Sequence, residues 1–556
     1  MNTATIIVCL TVALPSSSLA EALVLTNGSI HTITAASPVV DALAMDENGS
    51  IIAVGTEAEV LAVAGRDADV IDLKGMMVLP GFQDAHMHLV EAGLNQILCE
   101  FEPFGALSDT LATVEDCVQS SETDWVLGSG VSMVNLLDQT DDPIALLDEI
   151  SPDRPVLILD DIGHGAWANS VAMQAAGYDR LAGDPPGGII LRNAAGTPNG
   201  VVLENAQQKL RNLAFPDTSA NVAFAYENML PSLETLAQNG ITTVSDAGGF
   251  WPQGHAKVWQ KALAENTLTV RASNALYVYP DMDFDTQIAA LRALYSNDPE
   301  SLLRFNQAKL YVDGILEQRT GAVLQPYLPG EGIGHGYASG LEYFGVAALN
   351  AYSKALSDLG FQLHYHVTGD RGARMALDAI AQSNTNSGPH RLTHIYLLDP
   401  ADYPRFQELG AVADFQLAPS SLAPDYKNFI GMFIGDRANH MMPAGTLQAI
   451  GADVVMSSDF DADELSPLVK IQAALERESD GAPNVQTAIE WMTINPARLL
   501  RHDQTTGTIE VGKFADLVVL DRDITVVPVH QISKAKVVAT LLQGDAVFDA
   551  TGMFGD

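Results

Sequence analysis

Eight short apolar segments recur along the middle of this chain, each followed by a stretch with helical spacing, and this rhythm restricts the fold more than any other feature. They cover residues 82–85, 241–245, 269–277, 303–312, 361–366, 392–395, 412–416 and 453–457. Helical patterns fill the gaps, for example at 222–238, 285–295, 346–359 and 372–381. Strands that alternate with helices pair in parallel, because a parallel partner is reached only through a crossover. Eight such units predict an α/β fold, a (β/α)₈ TIM barrel, with its chemistry at the C-terminal ends of the strands.

The two chain ends follow a different pattern. Residues 22–33, 39–46 and 51–54 are short apolar runs separated by Asn27-Gly28, Glu47-Asn48-Gly49 and Gly55, and 515–520, 534–542 and 546–548 repeat the style. Neither set has enough apolar surface for its own core, so residues 21–78 and 508–550 are expected to form one small β-sandwich domain around a barrel of 79–507. The gap after the first strand, about 91–219, is too long for a crossover; it holds a candidate strand at 156–159 and reads as an inserted subdomain over the barrel mouth.

Polar residues cluster where the barrel would do chemistry. His86 and His88 end the first segment, and residues i and i+2 of an extended chain share a face, so both rings can reach one metal ion. The alternative is a pair of solvent-facing histidines. His364 and His366 repeat the spacing at segment five, His394 ends segment six, and Asp459 follows segment eight. Lys309 lies inside segment four; a lysine is rarely buried without a partner, so it either points outward, which composition favours, or is chemically occupied. Each residue alone could cap a helix or bond a carbonyl. Together they put imidazole, amine and carboxylate on one rim, the donor types of a metal site.

These motifs give the chain a resemblance to the amidohydrolase superfamily of metal-dependent hydrolases, in the large branch similar to N-substituted formamide deformylases. It rests on Leu79-Pro80-Gly81-Phe82-Gln83-Asp84-Ala85-His86-Met87-His88, on Lys309 to Tyr327 with Asp313-Gly314 and Arg319-Thr320, and on His366-Val367-Thr368-Gly369-Asp370-Arg371. Asn495-Pro496-Ala497-Arg498 and Gly507-Thr508-Ile509-Glu510-Val511-Gly512-Lys513-Phe514-Ala515-Asp516 complete it.

The resemblance implies one or two divalent ions, zinc preferred. His86 and His88 would hold the more buried ion, an N6-carboxylated Lys309 would bridge, His366 and His394 would hold the second, and Asp459 would bind weakly and take the proton of the attacking water. His366 fits the motif better than His364, whose contribution stays open. His164, in Gly163-His164-Gly165-Ala166-Trp167, matches a branch motif and is a candidate for substrate contact or oxyanion stabilisation. Trp167, Asp313, Arg319, Tyr311 and Asp461 are candidate substrate-lining residues, with Trp251 and Tyr277 as further aromatic candidates. Two departures stand out: Gln416 is followed by Leu417-Ala418 where relatives commonly place Pro, and Asp461 adds an acid beside Asp459.

Hydrolysis of an N-acyl or N-formyl carbon–nitrogen bond by metal-activated water is the expected reaction on a small molecule. The competing readings are an esterase, lactonase or cyclic-amide hydrolase, and a non-catalytic secreted binding protein. With 29 Lys and Arg against 69 Asp and Glu, the net charge of −40 would repel phosphate backbones, so no nucleic-acid partner is expected. The apolar start of the chain ends in Ser16-Ser17-Ser18-Leu19-Ala20, with small residues at the −3 and −1 positions. It reads as a signal peptide over residues 1–20, cleaved near Ala20 for a periplasmic or secreted product. No later segment offers 18 charge-free apolar residues, so no stable membrane insertion is expected. A homodimer and a Cys99–Cys117 bridge are left open.

Overall fold

The computed structural model describes residues 22–35, 38–96, 98–329 and 337–555. The expected signal segment lies outside the described residues. Eight parallel strands form one sheet: β1 (Phe82–Met87), β2 (Ile241–Asp246), β3 (Arg271–Tyr277), β4 (Leu303–Tyr311), β5 (Gln362–Val367), β6 (Arg391–His394), β7 (Val412–Phe415) and β8 (Asp453–Met456). Each falls on one of the eight expected segments. Neighbours pair in chain order, and the seam is closed just beyond β8, where Asp459 N–H donates to His86 O at 2.8 Å and His88 N–H to Phe460 O at 2.6 Å. The result is a TIM-type barrel.

Strand parity explains both the core and the site. Leu310, Leu363, Tyr365, Leu392, Phe415 and Met456 point outward into the main apolar core, against helices such as Ser219–Gln238, Val346–Asp358 and Asp370–Ile380. The alternate residues face the barrel interior; most are polar, with Val412 and Val455 joining Ala85, Leu499 and Leu500 in a small apolar plug. Arg391 Nη2 there donates to Ser245 Oγ at 2.8 Å, Gln307 Oε1 at 2.7 Å and His364 Nδ1 at 2.7 Å, linking β2, β4, β5 and β6. Such a network is tolerated because its members bond each other. Lys309 has this inward parity and is 0 % exposed, so the outward placement that composition favours is not found.

Both chain ends meet below β1. A four-stranded sheet runs Ile51–Gly55, Ala42–Met45, Leu23–Thr26, Asp69–Asp72; a six-stranded sheet runs Asp545–Asp549, Val537–Leu542, Leu517–Leu520, Met77–Pro80, Ser29–His31, Val39–Val40. Leu25, Leu43, Val78, Leu517 and Leu541 share one core, which makes the two sheets a sandwich. The last-but-one strand begins at Val537, not 534, because Val529–Lys534 coils into a 3₁₀ turn. Asp516 ties the sandwich to the barrel: its backbone carbonyl accepts from Gly81 N–H at 2.8 Å and its side chain from Arg271 Nε at 2.6 Å.

The segment after β1 holds its own six-stranded sheet, in the order Gly188–Arg192, Pro198–Glu204, Gly165–Ala168, Val156–Asp160, Val126–Val131, Cys99–Glu100. Both faces are buried: Val156, Ile158, Trp167, Val201 and Leu203 pack on one side, Leu157, Leu159, Ala166, Ala168 and Val202 on the other. Cys99 and Cys117 form a disulfide that joins the edge strand to helix Leu107–Ser120. Among the described residues, no helix is long and apolar enough to cross a membrane.

Candidate metal centre

Side chains from β1, β4, β5, β6 and the end of β8 converge at the C-terminal mouth. Asp459 Oδ1 lies 3.1 Å from His86 Nε2 and 3.3 Å from His88 Nε2, and its Oδ2 lies 3.7 Å from His394 Nδ1. The rings of His366 and His394 are 4.6 Å apart, and those of His86 and His394 5.0 Å. Lys309 Nζ meets the ring nitrogens of His86 at 3.3 and 3.5 Å, and among the described residues no carboxylate forms an ion pair with it. His394 and Asp459 occupy left-handed backbone conformations, φ 77° and 60°, although neither is glycine. Such positions cost about 1–3 kcal/mol each and persist where surrounding structure enforces them. Here they turn both side chains into the mouth.

Other groups fix the ring orientations. His88 Nδ1 donates to Glu91 Oε2 at 2.9 Å, which turns its Nε2 toward Asp459, and His394 Nδ1 donates to Gln416 Oε1 at 2.8 Å. His86 Nδ1 shares a hydrogen bond of 2.9 Å with His364 Nε2, so His364 lies directly beneath His86. His366 stacks on Tyr311 with centroids 4.3 Å apart, and its buried Nδ1 has no hydrogen-bond partner. Nitrogen and oxygen donors of His86, His394 and Asp459 lie within 4.8 Å of one another. A convergent set of imidazole and carboxylate donors at the barrel mouth fits a divalent metal ion.

The electrostatics agree. Burial alone would raise the Asp459 carboxyl, yet His86 and His88 hold it well below the usual carboxylate range. Burial disfavours the His88 imidazolium, but its bonds to Asp459 and Glu91 raise it to about 10. Burial lowers the Lys309 ammonium to about 7.

Above the centre lies a cavity of about 660 Å³, walled by the insert and by Tyr277, Tyr311, Tyr343 and Phe250. His164 reaches it from the insert, its ring 5.1 Å from that of His366. His164 Nδ1 donates to Glu204 Oε2 at 2.6 Å, and Glu204 also accepts from Tyr343 Oη at 2.7 Å and from Thr320 Oγ1. Burial opposes charge on His164, but the Glu204 carboxylate outweighs it and the net direction is upward. Glu204 thus orients the His164 ring over the mouth and favours its protonated form. Glu204→Gln is expected to keep the metal content while lowering kcat/KM about 10–100-fold, the usual cost of losing an orienting partner; metal analysis beside steady-state kinetics checks it.

Several sequence candidates sit elsewhere. Trp167 does not line the cavity: it is fully buried in the insert core and donates Nε1–H to Pro143 O at 2.9 Å. Arg319 turns away, donating to Leu328 O at 3.0 Å with its guanidinium 5.5 Å from the Phe433 ring centre. Asp313 lies behind His366, 3.8 Å from its Nδ1, where it accepts the backbone N–H groups of Ala322, Thr368 and Gly369 and so braces the ends of β4 and β5. Trp251 packs outside the cavity and donates to Tyr277 O at 3.1 Å. Tyr311, Tyr277, His164 and Asp461 do line it.

Sequence reasoning missed Glu91, Glu204 and Arg211, and it placed Gln416 on the rim without its bond to His394. Glu91 was reachable from the sequence, since an acid three residues after His88 on a helix start shares its face. Glu204 ends the apolar run Val201-Val202-Leu203, but only the fold shows that it faces His164.

Fold and donor set together define a barrel hydrolase that uses a divalent metal. The model of the Amidohydrolase family matches residues 69–548, and the chain belongs to that family. It is 26% identical over 554 residues to an N-substituted formamide deformylase of Arthrobacter pascens, covering 95% of this chain and 99% of the relative. It is 27% identical over 532 residues to Protein LONG AFTER FAR-RED 3 of Arabidopsis thaliana, covering 91% of this chain and 88% of that one. The fold is similar to the crystal structure of an uncharacterized metal-dependent hydrolase from Pyrococcus furiosus, with a TM-score of 0.68 at 23% identity, over 90% of this chain and 99% of the other.

Proposed function

We propose that this metal-dependent hydrolase cleaves the carbon–nitrogen bond of a small N-acyl or N-formyl amine. The observation that carries the reading is the contact of Asp459 with both His86 and His88 at an open mouth, which sets a low-pKa carboxylate among imidazole donors. Similarity along nearly the whole length to a formamide deformylase supports the bond type.

His86, His88, His366, His394 and Asp459 would hold zinc, and Lys309, as its N6-carboxylate, would supply the bridging oxygens. A bound zinc ion supplies Lewis acidity, lowering the pKa of water and polarising a carbonyl. Asp459 then accepts the water proton and delivers it to the leaving nitrogen. His164, held by Glu204, faces the acyl oxygen and stabilises the charge that develops there. Tyr277, Tyr311 and Phe250 keep the cavity wall apolar and restrict water. The products are an amine and a carboxylic acid.

We also assign processing near Ala20 and export to the periplasm or outside the cell, where the Cys99–Cys117 disulfide would persist.

The deciding experiment removes metal with a chelator and restores it, using a panel of N-formyl and N-acyl amines with matched esters. Loss and zinc-dependent recovery of amide turnover are expected; turnover of esters alone would overturn the bond assignment. Without metal, His88 carries a proton at neutral pH because its pKa is about 10. Metal uptake must therefore release that proton, and apparent affinity rises with pH up to that range. Calorimetry in two buffers of different ionisation enthalpy reads the released proton.

A further inference from the structure

The insert reaches the metal centre by a second route besides His164. Helix Asn205–Ala214 follows directly on Glu204, and Arg211 comes two turns, about 10 Å, further along it. Both turn toward the mouth, where Glu204 meets His164 and Arg211 lines the cavity. Arg211 is 6 % exposed, and its guanidinium lies 4.9 Å from the Phe250 ring centre. Among the described residues its one side-chain hydrogen bond runs from Nη2 to Glu91 Oε1, and its buried Nε has no hydrogen-bond partner.

Glu91 is equally enclosed. It stands in the first turn of helix Leu89–Asn95, three residues after His88, with Oε1 on Arg211 and Oε2 on His88 Nδ1 at 2.9 Å. Gly248 closes another side: a Cβ there would lie 2.5 Å from Glu91 Oε2 and 3.0 Å from His88 Nδ1, so glycine leaves the room that their bond occupies. His88 Nε2 then lies 3.3 Å from Asp459 Oδ1. A line of contacts runs from the insert to the centre, Arg211 to Glu91 to His88 to Asp459.

A buried ion pair that only fastened the insert to the barrel would be replaceable by apolar packing, because such pairs add little net stability. This pair differs in that the carboxylate Arg211 holds has its second oxygen on an imidazole of the centre. We propose that Arg211 is a positioning residue for the metal centre: from the insert it fixes the Glu91 carboxylate, and through Glu91 the ring of His88. Without Arg211 the carboxylate keeps only its bond to His88 and swings with that ring. The inference rests on His88 as a metal ligand in the reading above, not on which bond is cleaved.

Zinc affinity, read by competition with a chromophoric chelator, and the visible absorption of the cobalt-loaded protein test it without a substrate. Glu91→Gln is expected to weaken zinc binding about 10–100-fold and Arg211→Met about tenfold, each with altered cobalt bands. Because Arg211 acts through Glu91, adding Arg211→Met to Glu91→Gln should cost nothing more. Arg211→Lys keeps the buried charge balanced, so it serves where Arg211→Met does not fold. Its flexible point charge holds the carboxylate less firmly than a guanidinium, and an affinity loss of about threefold is expected, with cobalt bands displaced toward those of Glu91→Gln. Parent affinity and parent cobalt bands in either Arg211 variant, whatever its melting temperature, overturn the proposal, as do additive losses in the double variant. A parent that takes up no divalent ion overturns it together with the metal centre. A parent that binds zinc through this line of contacts but cleaves no amide overturns the bond assignment and leaves the role of Arg211 standing.

Discussion

Asp459→Asn is expected to leave the barrel folded and to lower kcat by about 10²–10⁴-fold, the range for a positioned proton-transfer group. Asn keeps the volume and one carbonyl oxygen near His86 and His88, but it cannot take a proton from water. The left-handed backbone at 459 tolerates Asn as well as Asp, so the mouth keeps its shape. Metal content should change little, which separates loss of the base from loss of the centre. A variant within tenfold of the parent, with zinc retained, would show that another group moves the proton; His164 would then be the nearest candidate.

Lys309→Met should abolish turnover for a different reason and with an opposite stability signature. An unmodified Lys309 is a fully buried amine whose ammonium form burial disfavours and which, among the described residues, forms no ion pair with a carboxylate, and an apolar side chain of similar volume is neutral or stabilising at such a site. The metal-free variant should therefore unfold at the same or a higher temperature than the metal-free parent. The metal-loaded enzyme should instead lose several kcal/mol of transition-state stabilisation, about 10³-fold in rate, together with one ion where two are bound. Short carboxylic acids should restore part of the activity by replacing the missing oxygen ligands. Full activity in Lys309→Met would exclude the carboxylated lysine.

The barrel was legible because its strands carry two independent signals: outward Leu310, Tyr365 and Phe415 build the core, and the inward residues between them are polar. The rim was legible for the same reason, since His86, His366, His394 and Asp459 all sit at strand ends. The wall of the cavity was not. Trp167 and Arg319 belong to motif stretches, but motif membership says nothing about direction, and the side chains point into the insert core and toward Phe433. Glu204 and Gln207 come from the insert, whose position above β5 depends on contacts from the loop after β4, such as Tyr343 with Glu204. Pairings between distant loops leave no local pattern in a sequence.

The junction of Leu517–Leu520 with Met77–Pro80 has a consequence for the birth of the molecule. Met77–Pro80 pairs on one side with Ser29–His31, but partners more than 400 residues apart must meet before the strand that leads into His86 and His88 gains its second neighbour. A chain lacking its last segment therefore leaves one edge of this strand unpaired, and the sandwich beneath the centre closes only once the C-terminal strands are in place.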